Sequence, residues 1–150
     1  MLSDAHPIAD LIDEVLRTQA RLLTATADFG AGEGLTGAQL LVLTAVVRGD
    51  RPPTVPQIAR SLGHSRQAVQ RLADALVEIG MVEAVDNPDH KRARLLVPTE
   101  RGRAAYAAAD AVSRTWAAEV TAGLDPAALA AATATLREIR TRLETGTTPR

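Results

Sequence analysis

Apolar side chains return at three- and four-residue intervals from Ile8 to Leu23, through Leu11, Ile12, Val15, Leu16 and Leu22. That spacing predicts a long amphipathic helix with one continuous apolar stripe. It fades by Phe29-Gly30-Ala31-Gly32-Glu33-Gly34, where closely spaced glycines make helix costly and a loop cheap. Thr36-Gly37-Ala38-Gln39 reads as a capping box for a second helix carrying Leu40, Leu41, Leu43 and Val47, which Gly49 stops. The prolines of Asp50-Arg51-Pro52-Pro53 cannot extend it, so a short linker follows.

A second capping box, Thr54-Val55-Pro56-Gln57, starts a short third helix with Ile58, Ala59 and Leu62 inward and Gly63 at its close. Only Gly63 and His64 precede Ser65, which is placed to cap a fourth helix. Its apolar face is Ala68, Val69, Leu72, Leu76, Val77 and Ile79, and Gly80 ends it. Met81–Val85 and Arg92–Val97 flank Asp86-Asn87-Pro88-Asp89 and read as a hairpin of two short strands. The two-residue period puts Ala93, Leu95 and Val97 on one face and Arg92, Arg94 and Leu96 on the other. Thr99 caps a long alanine-rich helix with Tyr106, Val112, Trp116 and Val120, and Asp125-Pro126 opens a last helix with Leu129, Leu136, Ile139 and Leu143. The tail from Thr145 to Arg150 is expected to fray. The expected fold class is mainly α, six helices with a small β-hairpin wing, and no internal repeat is visible.

Two short helices around a tight glycine turn, the second with a polar outer face and a basic hairpin behind it, make a winged helix-turn-helix over residues 54 to 97. With its apolar face inward, the fourth helix leaves Arg66, Gln67, Gln70 and Arg71 pointing out near its start. Arginine donates two bonds to guanine and glutamine pairs with the donor and acceptor of adenine, so these residue types suit the major groove. Which base each reads stays open. Thr54, Ser61 and Ser65 stand where hydroxyls and helix-start amides can hold phosphates. Lys91, Arg92 and Arg94 form the basic wing, although charges there also protect an exposed strand edge. Arg101 and Arg103 oppose the dipole at a helix start, which hints at a nearby phosphate.

Net charge is −1 overall, but the window from Arg48 to Arg103 is the basic part of the chain. A chain of 150 residues with 46% hydrophobic content is expected to form one domain with a proper core. It contains no cysteine, which excludes disulfides, thiolate metal sites, cysteine nucleophiles and thiol redox sensing, and fits a cytoplasmic protein. Met1 to Pro7 lacks the basic start and apolar core of a secretory signal, so the mature chain is expected to begin here. Leu40 to Val47 is too short to span a membrane. His6, His64 and His90 fall in separate elements without metal-ligand spacing, and no cofactor is expected. Tyr106 and Trp116 read as core side chains, with a ligand cavity the alternative. No phosphate-binding loop, nucleophile elbow or zinc-protease motif is present, so an enzyme is not expected. RNA or single-strand binding lacks its stacking platform, because no aromatic residue lies in the recognition segment.

The run from Thr54 to Leu72, then Asn87-Pro88-Asp89-His90-Lys91-Arg92-Ala93, Leu95 and Thr99-Glu100-Arg101-Gly102, resembles the MarR family of regulators. The resemblance covers the central 50 or so residues by motif and the whole chain by helix order. It implies a single MarR-like domain over residues 1–150, with a DNA-binding lobe at about 36–98 and dimerisation helices at about 5–29 and 99–145. Also implied are a homodimer, duplex DNA as partner, a wing tip reaching the minor groove with Arg92 as the family's wing arginine, and a small organic effector bound near the junction of lobe and dimerisation helices. Where members often carry an acidic residue two positions before the wing arginine, this chain has His90, with Asp89 the available substitute. The expected function is a sequence-specific, ligand-responsive repressor on a pseudo-palindromic operator. The alternative is a winged-helix protein-interaction module without specific DNA binding.

Overall fold

The computed structural model describes residues 7–146. His6, the expected helix start near residue 5 and the last four residues of the tail lie outside that range. The elements are α1 (Pro7–Thr26), a 3-10 turn (Ala31–Glu33), α2 (Gly37–Arg48), α3 (Val55–Leu62), α4 (Arg66–Glu78), β1 (Val82–Val85), β2 (Leu95–Pro98), α5 (Glu100–Val120) and α6 (Pro126–Glu144). Two compact units divide the chain, one ending at Ser113 and one beginning at Arg114.

Helix starts lie where side chains can take the orphan amides. Thr36 and Gln39 exchange both bonds of a capping box at the start of α2, and Thr54 and Gln57 repeat the arrangement at α3. Ser65 Oγ accepts from the Ala68 amide at 3.1 Å and so starts α4. Between α3 and α4, Gly63 takes φ 67°, a left-handed turn that glycine enters without strain. The turn therefore needs only Gly63 and His64, which keeps the two helices close.

Within the first unit, α2, α3 and α4 pack together with β1 and β2. The core is built from Val42, Leu43 and Val46 of α2, Ile58 and Ala59 of α3, and Val69, Ala73 and Leu76 of α4, closed by Met81, Val82, Leu96 and Ala105. The strands pair antiparallel with Val82 opposite Pro98 and Val85 opposite Leu95. Thr54 bridges to Leu95, and the Leu96 amide donates to the Pro53 carbonyl at 2.8 Å, so the linker before α3 is stitched to the outer edge of the hairpin.

Two expectations are corrected. The second strand begins at Leu95, not Arg92, and Leu96 is buried whereas Arg92 and Arg94 are exposed. The alternation fails because residues 86–94 form a loop, and a two-residue period holds only within a strand. On α4, Val77 is 40% exposed while Ala73, absent from the expected apolar face, is buried. Val77 follows Leu76 by one residue, a step of about 100° that carries it off the buried side.

The helices α1 and α6 bury no residue. In the second unit, Asp125 Oδ1 accepts from the Ala127 amide at 3.0 Å and Pro126 occupies the first turn of α6. Adjacent positions on α4 should separate sharply in a denaturant titration: Leu76→Ala is expected to cost ~2–5 kcal/mol. Val77→Ala is expected to stay within about 1 kcal/mol. Equal losses would contradict the rotation of α4 described above.

Candidate nucleic-acid interface

Burial of Val69, Ala73 and Leu76 turns the opposite side of α4 to solvent, and Arg66, Gln67, Gln70 and Arg71 are all exposed there. Gln70 is held in one orientation, because its Nε2 donates to Asp74 Oδ1 at 2.8 Å one turn later. That leaves the carboxamide oxygen and one N–H of Gln70 free, the pair that adenine would require. Asp74 was not anticipated as part of the site, although its i, i+4 spacing from Gln70 is legible in the chain.

The wing loop owes its shape to Asn87. Its Nδ2 donates to the Ala93 carbonyl at 2.9 Å across the loop, while its Oδ1 accepts from the Asp89 amide at 3.0 Å. Asp89, the expected substitute brace for Arg92, forms no ion pair with it among the described residues, and His90 is exposed. The brace of this wing is an amide on the loop backbone, not a carboxylate on the arginine. Arg94 turns back to donate to the Ala84 carbonyl of β1, whereas Lys91 and Arg92 extend from the loop as exposed cations.

Between α4 and the wing lies a groove of about 470 Å³. It brings together Arg66, Gln67 and Gln70 from the helix with Arg92 and Arg94 from the loop, over an apolar floor that includes Val77 and Leu96. Ser65, Arg71 and Lys91 are not among its lining residues. Thr54 lines the adjoining cleft instead: it is 7% exposed, its hydroxyl serves the α3 cap, and its backbone bridges to Leu95. A second cleft, of about 860 Å³, adds Arg51 and Arg60 beside Arg66 and His90. The basic balance of this window was the only sequence signal for those two arginines. Arg101 also contacts protein, its Nη1 donating to the Ile79 carbonyl at 2.7 Å while the residue stays exposed.

The sequence profile of the MarR family matches residues 33–93, the stretch that carries α2, α3, α4 and the wing loop. An uncharacterized protein of Mycobacterium tuberculosis is 39% identical over 132 residues, covering 88% of this chain and 91% of its own. The chain belongs to the MarR family. The fold of this MarR member is that of a MarR-family transcriptional regulator from Rhodococcus sp. RHA1, with TM-score 0.78, 21% identity and coverage of 91% and 96% of the two chains. The crystal structure of CouR from Rhodococcus jostii RHA1 bound to p-coumaroyl-CoA superposes with TM-score 0.73 at 19% identity, covering 100% of both chains.

A third cleft, of about 220 Å³, lies in the first unit between α2 and the start of α5. Phe29, Leu40 and Tyr106 are among its apolar residues, and Thr26, Thr44, Arg48, Asp110 and Ser113 are its polar ones. Tyr106 both packs against the core and lines this cleft, so the two alternatives raised for it are compatible; Trp116 is not among the lining residues. Among the described residues no group of three or more His, Cys, Asp or Glu could hold a metal, and no helix is long and apolar enough to cross a membrane. Replacing Asn87 by Ala removes both of its side-chain bonds and should speed hydrogen exchange across residues 86–94 by at least about two- to tenfold, the range for a single net hydrogen bond. The melting temperature should barely move, and unchanged exchange would show that the loop is held by something else.

Proposed function

We propose that this MarR-family chain is a homodimeric, sequence-specific repressor of transcription that binds duplex DNA and releases it in response to a small organic ligand. The observation that carries the reading is the groove in which Arg66, Gln67 and Gln70 stand beside Arg92 and Arg94. In the proposed complex α4 enters the major groove, Gln67, Gln70 and Arg66 meet base edges, and Arg92 at the wing meets the minor groove. Ser65, Arg71 and Lys91 serve the phosphates, which position the protein without reading sequence. Thr54 acts by joining α3 to β2. The helix-turn-helix lobe of about 36–98 and the flanking helices of about 5–29 and 99–145 work as one domain, in the cytoplasm.

Support for the dimer comes from α1 and α6. Leu16 is 61% exposed, Leu143 is 65% exposed, and Ile12, Leu22, Leu23, Leu129 and Leu136 are also exposed on helices with no fully buried residue. Apolar stripes of this extent mark an interface. A two-fold dimer would set its reading helices about 34–36 Å apart and select half-sites spaced by about 10 base pairs. The cleft beside Tyr106 supports the effector: at about 220 Å³ it is smaller than the drug-sized sites of roughly 300–1,000 Å³ and suits a one-ring molecule.

Anisotropy titrations of the promoter next to its own coding region, at two salt concentrations, test the reading. Binding should weaken steeply with salt. Gln70→Ala should cost ~1–3 kcal/mol on the operator alone, while Arg92→Ala should weaken operator and random duplex alike. Salt-independent binding, or equal losses for Gln70→Ala on both duplexes, would favour a protein-docking role. Leu16→Glu should convert the dimer to a monomer in light scattering with helix content retained; a variant that stays dimeric would place the interface elsewhere.

A further inference from the structure

The end of α4 is held by another helix. Arg101 Nη1 donates to the Ile79 carbonyl at 2.7 Å, Thr99 Oγ1 donates to the Gly80 carbonyl at 2.7 Å, and the Thr99 amide donates to the Met81 carbonyl at 3.1 Å. Three successive carbonyls at the α4–β1 junction are thus taken by the residues that open α5. Thr99 Oγ1 also accepts from the Gly102 amide at 3.0 Å, so one hydroxyl caps α5 and ties it to the junction. Gly102 is buried, and a Cβ built on it would fall 1.9 Å from the Met81 carbonyl oxygen, so the α5 backbone lies directly against the junction. Carbonyls at a helix end are ordinarily met by water or by a local turn. Here they fix α4 to an element outside the helix-turn-helix.

The reading side chains sit at the opposite end of α4. From Arg66 to Ile79 the helix runs for about 20 Å, so a tilt of about 5° at the held end moves the reading end by about 2 Å. Base contacts demand placement within about 0.5 Å. We propose that Thr99, Arg101 and Gly102 form a clasp that sets the angle at which α4 meets DNA, and that Arg101 is a positioning residue for base discrimination although it lines no part of the groove. The inference rests on the DNA-binding reading above. Arg101 is the clean probe of the clasp, because its side chain is exposed and Arg101→Met keeps the stem while removing the donor. Gly102→Ala and Thr99→Val strike a buried backbone contact and a helix cap, and endanger folding itself.

The test uses the full chain. Wild-type protein enriches duplexes from a random-sequence pool, and wild type, Arg101→Met and Arg101→Lys are then titrated against an enriched duplex and a scrambled one across several salt concentrations. The affinity ratio between the two duplexes should fall roughly tenfold for Arg101→Met, the size of one lost bidentate base contact. Its melting temperature should shift by no more than about 4 °C, the slope of log affinity against log salt should stay unchanged, and Arg101→Lys should restore most of the ratio. An unchanged ratio, with or without a lower melting temperature, overturns the clasp. Equal losses on both duplexes with a shallower slope also overturn it, making Arg101 a phosphate contact. Wild-type protein that enriches no duplex would instead remove the DNA reading, and the role of Arg101 with it.

Discussion

The packing of α4 against α2 and α3 is the constraint from which the rest of this molecule follows. Val69, Ala73 and Leu76 enter a core supplied by Val42, Leu43 and Val46 on one side and Ile58 and Ala59 on the other. Fully burying a residue the size of Val69 or Leu76 contributes ~1.5–3 kcal/mol, so rotating α4 by one position would sacrifice several kcal/mol. The helix therefore has one stable orientation about its axis. In that orientation Arg66, Gln67 and Gln70 have no choice but to face outward, and the chemistry of the groove is a consequence of the apolar face behind it.

The wing depends on the same core at one remove. Leu96 is buried with Val82, the linker carbonyl of Pro53 holds the Leu96 amide, and Thr54 bridges to Leu95. The hairpin is thus secured at its base while the loop from residue 86 to 94 projects from it. Asn87 gives that loop a shape of its own, and Arg94 spends its guanidinium on the β1 backbone, leaving Lys91 and Arg92 extended. A rigid base with a basic, self-braced loop suits contact with a polyanion, where position is set by many weak charge contacts.

The helices α1 and α6 follow a different rule. Their apolar stripes are as regular as those of α2 or α4, yet no residue of either is buried within the chain. Exposed i, i+4 ion pairs, Asp13 with Arg17 and Glu138 with Arg142, decorate their polar sides. Such pairs are screened by solvent and contribute too little to account for the stripes opposite them. Stripes of this length are stable in water when a second surface covers them, which is the physical basis for reading the working unit as a homodimer.

Local chemistry made much of this protein legible from its sequence: the capping boxes at Thr36 and Thr54, the Ser65 cap, the Gly63 turn and the Asp125-Pro126 start are written in neighbouring residues and needed no tertiary information. The outward set on α4 was legible for the same reason, since a 3.6-residue period ties each polar position to the apolar ones. What sequence could not decide were the contacts between residues far apart in the chain. The start of β2 at Leu95 is set by pairing with β1 and by Pro53, the wing brace by Asn87 reaching Ala93, and the partner of Arg101 by the fold of α5 back onto Ile79. Each of these depends on where a distant backbone carbonyl or amide comes to rest, and periodicity, which counts only steps along one element, carries no information about that.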